Sequence, residues 1–349
     1  MSPRRVAFES PEMKIDASLM FDPGKVAAMA GELERAGFDG AYTFEGQSDP
    51  FVSLAAAAMS TERMALMTAI AVAFARNPMN LAYLGNDLQT LSKGRFILGL
   101  GTQVKAHIEK RFNMPWSKPV QRMREMVLAI RAIWHSWRTG ERLKFEGEFY
   151  RHTLMSPVFS PPPNAYGEAP IFVAGIGPAM TEVAGEVGDG YLVHPFNSPR
   201  SLADLSLKAV ERGLVRAGKR REGFQIAAQA ITATGLNEQS LQQAVFAARS
   251  QIAFYASTPA YLPVLQCHGW EDFQPKASQL AAQGKWADMA GLVDDEMLHA
   301  FAVVGTPREV ACKIAARYRG KVDRVSPVIY QPDARLLVAL LQELRSALQ

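Results

Sequence analysis

The sequence is poor in three features that would assign it to a specialised class. Its only two cysteines, Cys267 and Cys312, cannot form a disulfide framework and indicate a reducing compartment. It has no run of about 18 apolar residues, and the opening MSPRRVAFESPEM leads into no signal-type apolar segment, so we expect a cytoplasmic protein without a membrane partner. The net charge is +4, but Lys and Arg form no block, which argues against nucleic acid as a partner.

Several signatures of catalytic and metal sites are also missing. The six histidines are not spaced as metal ligands, and Cys267 with His268 forms an isolated pair, so we predict no metal site. No GxSxG motif occurs. Two glycine-rich turns resemble a dinucleotide fingerprint, but Val104 and Met180 stand where its third glycine would be. A Rossmann-type nucleotide site is therefore not predicted.

The sequence does contain a repeated transition from strand to helix. Eight strand-like runs alternate with helical patterns: IDASLM, GAYTF, MALMTAIAVA, RFILGLG, IFVAG, GYLVH, FQIAAQAITAT and VSPVIY. Five helices are predicted to start with a capping residue followed by proline. Proline suits the first helical position, because the backbone N–H that it lacks would have no acceptor within the helix there. These starts are Asp22-Pro23, Asp49-Pro50, Asn77-Pro78, Ser198-Pro199 and Thr306-Pro307.

Eight such units indicate the α/β class and a (β/α)8 TIM barrel, which needs about 250 residues. A doubly wound open sheet is the alternative, although it uses fewer strands. The remaining residues are predicted to be insertions into a single domain of residues 1–349: a hairpin near 141–168 and extra helices near 238–300. The second insertion contains SQIAFYASTPAYLPVL, whose aromatic residues could cover a pocket.

The turn after the fifth strand-like run, FVAGIGPAM, has the composition of an anion site. Gly175 and Gly177 keep the backbone bare, and Pro178 starts a helix whose first free N–H groups would point outward. Those N–H groups, predicted to be the ones of Ala179, Met180 and Thr181, and the helix dipole would attract a phosphate. The alternative is a plain tight turn, and the motif alone does not separate the two.

Two more strand ends carry polar side chains that a barrel would bring to its rim. Glu45 follows the second strand and could act as a general acid or base, or accept a hydrogen bond from a ring; a surface carboxylate is the alternative. The turn after the fourth strand could attract the phosphate or acidic tail of a cofactor, or could simply be a solvated helical turn. Its residues include Gly101, Thr102, Gln103, Lys105, His107, Lys110 and Arg111.

Two long stretches carry a resemblance to a known family. They are DPFVSLAAAAMSTERMALMTAIAVAFARNPMNLAYLGNDLQTLSKGRFILGLGTQVKAHIEKRFNMPWSKPVQRMREMVLAIRAIW and IFVAGIGPAMTEVAGEVGDGYLVH. The chain resembles the bacterial luciferase-like flavin and deazaflavin oxidoreductases, in particular the branch that uses coenzyme F420, from Lys14 to Tyr330. The match is specific for the family, less so for the cofactor, and it says little about the substrate.

The resemblance implies a TIM-barrel homodimer with a flavin-type ring across the strand ends. It implies a non-prolyl cis peptide between Ala69 and Ile70, bulging from the third strand against that ring. It also implies that the turn after the fifth strand holds the cofactor phosphate, through Ala174, Gly175, Ile176, Gly177, Pro178, Ala179 and Met180. Either REMVLAIRAIWHSW or the helix at 78–91 could form the dimer interface, or could belong to the barrel core.

The sequence also departs from the family's pattern. Sugar-phosphate dehydrogenases of the branch carry a histidine where Gly46 stands and a glutamate where Val104 stands, so a sugar phosphate is not expected as substrate. Glu45 with His107 could then handle protons, or the substrate needs little proton transfer. Three functions follow: F420-dependent hydride transfer with a small organic substrate, an FMN-dependent monooxygenase served by a flavin reductase, or a flavin-binding protein without turnover.

Overall fold

The computed structural model describes residues 12–19, 22–330 and 334–348. Eight parallel strands form a closed ring, in which each strand pairs with the next along the chain and the eighth pairs with the first. The strands are β1 Lys14–Ser18, β2 Gly40–Thr43, β3 Ala65–Thr68, β4 Phe96–Gly101, β5 Ile171–Gly175, β6 Gly190–Val193, β7 Gln225–Ala233 and β8 Arg324–Val328. The predicted (β/α)8 barrel is confirmed, and the open-sheet alternative is wrong.

Fifteen α-helices surround the ring within the described ranges. They are α1 Pro23–Ala36, α2 Pro50–Ser60, α3 Pro78–Leu91, α4 Lys105–Lys110, α5 Pro119–Thr139, α6 Pro178–Val187, α7 Pro199–Ser201, α8 Lys208–Arg216, α9 Glu238–Ala256, α10 Leu262–Gln266, α11 Phe273–Ala282, α12 Trp286–Gly291, α13 Asp295–Phe301, α14 Pro307–Tyr318 and α15 Ala334–Leu348. A π-helical segment, Leu202–Leu207, joins α7 to α8. In the part of the chain that the structure describes, none of these helices has the length and apolar character of a membrane span.

All five predicted helix starts are confirmed by side-chain caps. In each case the capping oxygen accepts a backbone N–H of the first turn, and proline follows at the first helical position. Thr306 and Glu309 form a reciprocal capping box at the start of α14. These local bonds place the helix starts just beyond the strand ends, so the loops between them line the barrel mouth.

The two predicted insertions also have the expected structure. Phe145–Glu146 pairs antiparallel with Arg151–His152, and the carboxylate of Glu125 on α5 accepts three N–H groups from the hairpin turn. Residues 238–300 contain α9 to α13, which share a second apolar cluster outside the main core. A short strand, Ala302–Val304, pairs with the end of β7 after these helices.

Side chains fill the barrel in layers, so the ring encloses a core and no channel. At its floor the buried pair Asp16 and Arg324 makes two hydrogen bonds of 2.5 and 2.8 Å. The interior also contains an apolar cluster drawn from six strands: Tyr42, Met67, Ile97, Phe172, Leu192 and Ala227. This packing leaves the C-terminal ends of the strands as the accessible side of the ring.

Candidate active site

The turn between β5 and α6 presents an uncapped helix start. Gly177 is the N-cap residue of α6 and no side chain caps the helix there. The second and third helical residues, Ala179 and Met180, have N–H groups that cannot reach an acceptor within the helix. The prediction for Thr181 was wrong, because its N–H donates to Gly177 O at 3.1 Å and so closes the first helical turn. Two backbone donors therefore point out of this helix, one fewer than predicted.

The two glycines of this turn have different roles. A Cβ on Gly175 would lie 2.9 Å from Cγ of Met180 and 3.1 Å from its carbonyl carbon, so a side chain there would displace Met180. A Cβ on Gly177 would meet nothing within 4 Å, so the space in front of the helix start is open. Tyr191 donates its hydroxyl proton to Gly175 O at 2.7 Å and holds the turn from below. The turn fits a phosphate group, because it combines free N–H donors with room for a ligand.

Strand β3 ends in a bulge at the barrel mouth. The peptide bond between Ala69 and Ile70 is cis, as the resemblance implied. Before the bulge Met67 pairs with Ile97, thirty positions on, whereas after it Ala71 pairs with Leu100, twenty-nine positions on. The bulge thus adds one residue to the β3 side of the ladder, and Ala69 and Ile70 lie half-buried at the mouth.

Thr68 replaces the backbone hydrogen bonds that the bulge interrupts. Its Oγ1 accepts the N–H of Gly99 and donates to Gly99 O, both at 2.8 Å. Gly99 must be a glycine, because a Cβ there would lie 1.8 Å from Thr68 O. Gly101 is less constrained, since its Cβ would approach only the side chain of Ile70, to 2.8 Å, and not a backbone atom.

Glu45 lies directly against this bulge. Its backbone N–H donates to Ile70 O at 3.0 Å, and its Oε2 accepts the N–H of Val72 at 2.8 Å. The same oxygen is 2.5 Å from Nη1 of Arg76, and the Glu45 side chain is only 8% exposed. One carboxylate oxygen of Glu45 is therefore bound both to the backbone and to a cation, and Glu45 supports the bulge.

His107 occupies a different environment on α4, where it is exposed. The turn before α4 closes on itself: Thr102 donates to Gln103 O, and the Gln103 side chain accepts the N–H of Val104. Arg111 then donates to Gly46 O at 3.1 Å, which joins this region to the loop after β2. Among the described residues no hydrogen bond or ion pair joins Glu45 to His107, so their shared proton-handling role stays a prediction.

An aromatic group at the mouth lies beside the end of β6. The ring of His194 lies 4.7 Å from that of Tyr255 and 4.8 Å from that of Tyr261, both from the second insertion. Nδ1 of His194 accepts the N–H of Phe196 at 3.1 Å, and burial lowers the pKa of His194 to about 3. His194 is therefore a neutral imidazole at physiological pH, covered by the aromatic segment that the sequence indicated.

Tyr42 was not among the predicted site residues. It lies on β2 and points into the barrel, where its hydroxyl accepts a hydrogen bond from Ser326 at 3.3 Å. Burial raises the pKa of Tyr42 to about 12. The alternating pattern of GAYTF could have identified Tyr42 as an inward residue, but only ring closure brings it to Ser326.

Comparison with known proteins gives a consistent relationship. Residues 6–324 match the family model described as luciferase-like monooxygenase. The uncharacterized protein Rv1360 of Mycobacterium tuberculosis is 50% identical over 95% of this chain and 98% of its own. The 5,10-methylenetetrahydromethanopterin reductase of Archaeoglobus fulgidus is 28% identical over 88% of this chain and 90% of its own length. The structure of the coenzyme F420 dependent tetrahydromethanopterin reductase from Methanopyrus kandleri superposes with a TM-score of 0.80 at 23% identity. The superposition covers 97% of this chain and 100% of the reductase chain. The chain belongs to the luciferase-like monooxygenase family.

Proposed function

We propose that this protein transfers a hydride between coenzyme F420 and a small organic substrate. The observation that carries the proposal is the open, uncapped start of α6 at the mouth of the barrel. The reductases of Archaeoglobus fulgidus and Methanopyrus kandleri support it by similarity in sequence and in fold. The homodimer stays a prediction.

The residues present fit such a cofactor. The N–H groups of Ala179 and Met180 would bind its phosphate in the space in front of Gly177, and Ala69 with Ile70 would support its ring. Gly101, Thr102 and Gln103 would border it on the β4 side. When bound, F420 supplies the hydride chemistry, and the protein supplies orientation and exclusion of water.

The mouth provides neutral hydrogen-bonding groups for the substrate. Tyr255 and Tyr261 have pKa values raised by burial, and His194 is neutral for the same reason. Such groups can bind a carbonyl or hydroxyl group, whereas a phosphorylated sugar would need cations. Glu45, beside the bulge, and His107 are proposed to move the proton that accompanies the hydride.

A pair of variants at Gly177 tests the phosphate site. Gly177 has backbone angles open to any residue, so Gly177→Asp should fold and cap α6 with a carboxylate in the phosphate position. We expect its F420 affinity, measured by fluorescence titration, to fall about 10- to 100-fold, because each hydrogen bond to a charged group contributes about 1.5–3 kcal/mol. Gly177→Asn, which caps the helix without charge, should lose less.

The titration separates the alternatives. Tight FMN binding without F420 binding would reject the F420 proposal, and oxygen consumption with reduced FMN would then indicate the monooxygenase. Binding of F420 without reduction by any alcohol in a single turnover would indicate a carrier protein. Equal F420 affinity in wild type and Gly177→Asp would show that the cofactor phosphate does not bind at α6.

A further inference from the structure

A buried hydroxyl group holds the turn between β5 and α6 from the helix side of the barrel. Side chains alternate along β6, and because Leu192 points into the barrel, its neighbour Tyr191 points outward, between the strands and the helices. Tyr191 is 1% exposed there, and its hydroxyl donates to Gly175 O at 2.7 Å. A side chain of the next strand therefore fixes the direction of the Gly175 carbonyl.

The direction of the hydrogen bonds at Tyr191 follows from the groups present. A carbonyl oxygen can only accept, so the single hydroxyl proton of Tyr191 goes to Gly175 O. The Ser206 hydroxyl, 3.3 Å away in the π-helical segment between α7 and α8, is then the donor to the oxygen of Tyr191. Burial raises the pKa of Tyr191, so its hydroxyl keeps the proton that it donates.

The carbonyl of Gly177 is also occupied by protein donors. It accepts the backbone N–H and the hydroxyl proton of Thr181, both at 3.1 Å. A carbonyl oxygen carries a partial negative charge and would repel a phosphate, whereas the free N–H groups of Ala179 and Met180 attract it. With both glycine carbonyls held inside the protein, the turn presents N–H groups to the open space in front of Gly177.

Of these two carbonyls, only that of Gly175 depends on a distant side chain for its direction. The Gly177 oxygen is fixed by α6 itself, because its bond with the Thr181 N–H closes the first helical turn. The peptide between Gly175 and Ile176 instead leaves the end of β5, and glycine has access to more backbone conformations than other residues. Without its donor this peptide can rotate and bring a carbonyl oxygen towards the ligand.

We propose that the Tyr191 hydroxyl is the positioning group that gives this protein a preference for a phosphate-bearing cofactor over the same ring system without phosphate. Tyr191 acts through Gly175 O and not by touching the cofactor, and Ser206 supports it. This role rests on the proposed phosphate site at α6, but it does not depend on whether the cofactor is F420 or FMN.

The test compares two pairs of ligands whose members differ in the phosphate. Fluorescence titration of the full-length, cofactor-free protein measures the affinity for F420 and for its 5-deazariboflavin core, and for FMN and riboflavin. We expect Tyr191→Phe to lower the affinity for the phosphate-bearing member about tenfold and to leave that for the phosphate-free member unchanged. A general loss of structure would weaken both members together.

Three further proteins control for other effects. Ser206→Ala removes the donor to Tyr191 and should lower the phosphate preference by only about threefold. Tyr318→Phe is the matched control, because Tyr318 is also fully buried and its hydroxyl donates to Asn197 Oδ1 at 3.2 Å, so its preference should equal that of the wild type. In Gly177→Asp, whose carboxylate takes the phosphate position, adding Tyr191→Phe should cause no further loss of preference.

The possible results distinguish the role of Tyr191 from the F420 proposal. A preference for FMN over riboflavin that Tyr191→Phe abolishes, without any binding of F420, would support Tyr191 and reject F420. An unchanged preference in Tyr191→Phe, or an equal loss in Tyr318→Phe, would overturn the role of Tyr191 but not tight binding of F420. A wild type that binds both members of each pair equally would overturn this role together with the phosphate site.

Discussion

The carboxylate of Glu45 and the guanidinium of Arg76 form an ion pair of 2.5 Å beside the bulge of β3. Arg76 also binds Asp49, the N-cap of α2, at 2.7 Å. The pair therefore ties the loop after β2 to the chain beyond β3. A residue predicted as an acid or base is thus also part of the support of the proposed cofactor ring.

Glu45→Gln separates these two roles. The amide oxygen can still accept the N–H of Val72, so we expect the variant to fold and to keep its F420 affinity. If Glu45 moves a proton, kcat should fall by about 100-fold or more. Asp49→Asn is the control. Asn can still cap α2, and in this variant, as in Glu45→Gln, Arg76 loses one of its two charged partners. Turnover reduced equally in both variants would show that Glu45 acts only by positioning.

The stability of the protein should depend on the buried charge of Arg324 at the floor of the barrel. Asp16 and Arg324 are each 2% exposed, and Arg324→Met would leave the carboxylate buried without its cation. We expect the free energy of unfolding to fall by about 3–5 kcal/mol in urea titration. Lys208→Met, which breaks the exposed pair with Asp204, should change it by less than about 1 kcal/mol. Similar losses of unfolding free energy in Arg324→Met and Lys208→Met would contradict the prediction that burial makes the first loss larger.

His194 should make the protein less stable in mild acid. Its pKa is about 3 in the folded chain against an ordinary value of 6.5, so below pH 6.5 the unfolded chain takes up a proton that the folded chain does not. The contribution of the neutral His194 to stability is therefore fully present above pH 6.5 and is lost as the pH falls towards 3. Between about pH 7.5 and about pH 5, the free energy of unfolding of the wild type should fall by up to about 2 kcal/mol more than that of His194→Asn.

Chemical unfolding at several pH values measures both proteins. Parallel curves for wild type and His194→Asn would mean that the imidazole is protonated as easily in the folded chain as in the unfolded one.

The contact between β3 and β4 should not tolerate an added methyl group. Gly99→Ala would place Cβ 1.8 Å from Thr68 O, a backbone atom that cannot rotate away. We expect a loss of about 3 kcal/mol or more in the free energy of unfolding, together with weaker F420 binding, because the strain falls next to the bulge. Gly291→Ala on α12 meets nothing within 4 Å and should be neutral. Unchanged stability of Gly99→Ala would mean that the two strands can separate at little cost.

The fold was predictable because its signals are local. A capping residue and a proline act within one helical turn, so the five helix starts were identified from the sequence. An apolar run followed by a glycine-rich turn is also recognisable without its neighbours in the fold, so the eight strands were identified too. The bare turn and helix start at Gly175–Met180 were identified in the same way, while its phosphate-binding role stays a prediction. The cis peptide at Ala69–Ile70 came only from resemblance, because an apolar strand pattern is the same with or without it.

The sequence by itself determined the ring of strands, the places where its loops begin, and which glycines keep the turns bare. The tertiary structure decided what those loops contact: Arg76 on Glu45, Arg324 on Asp16, and the tyrosines of the second insertion on His194. Such pairs are separated by tens to hundreds of residues. No pattern within one turn or strand encodes them, because they form only when the ring closes and burial sets their charges and hydrogen bonds.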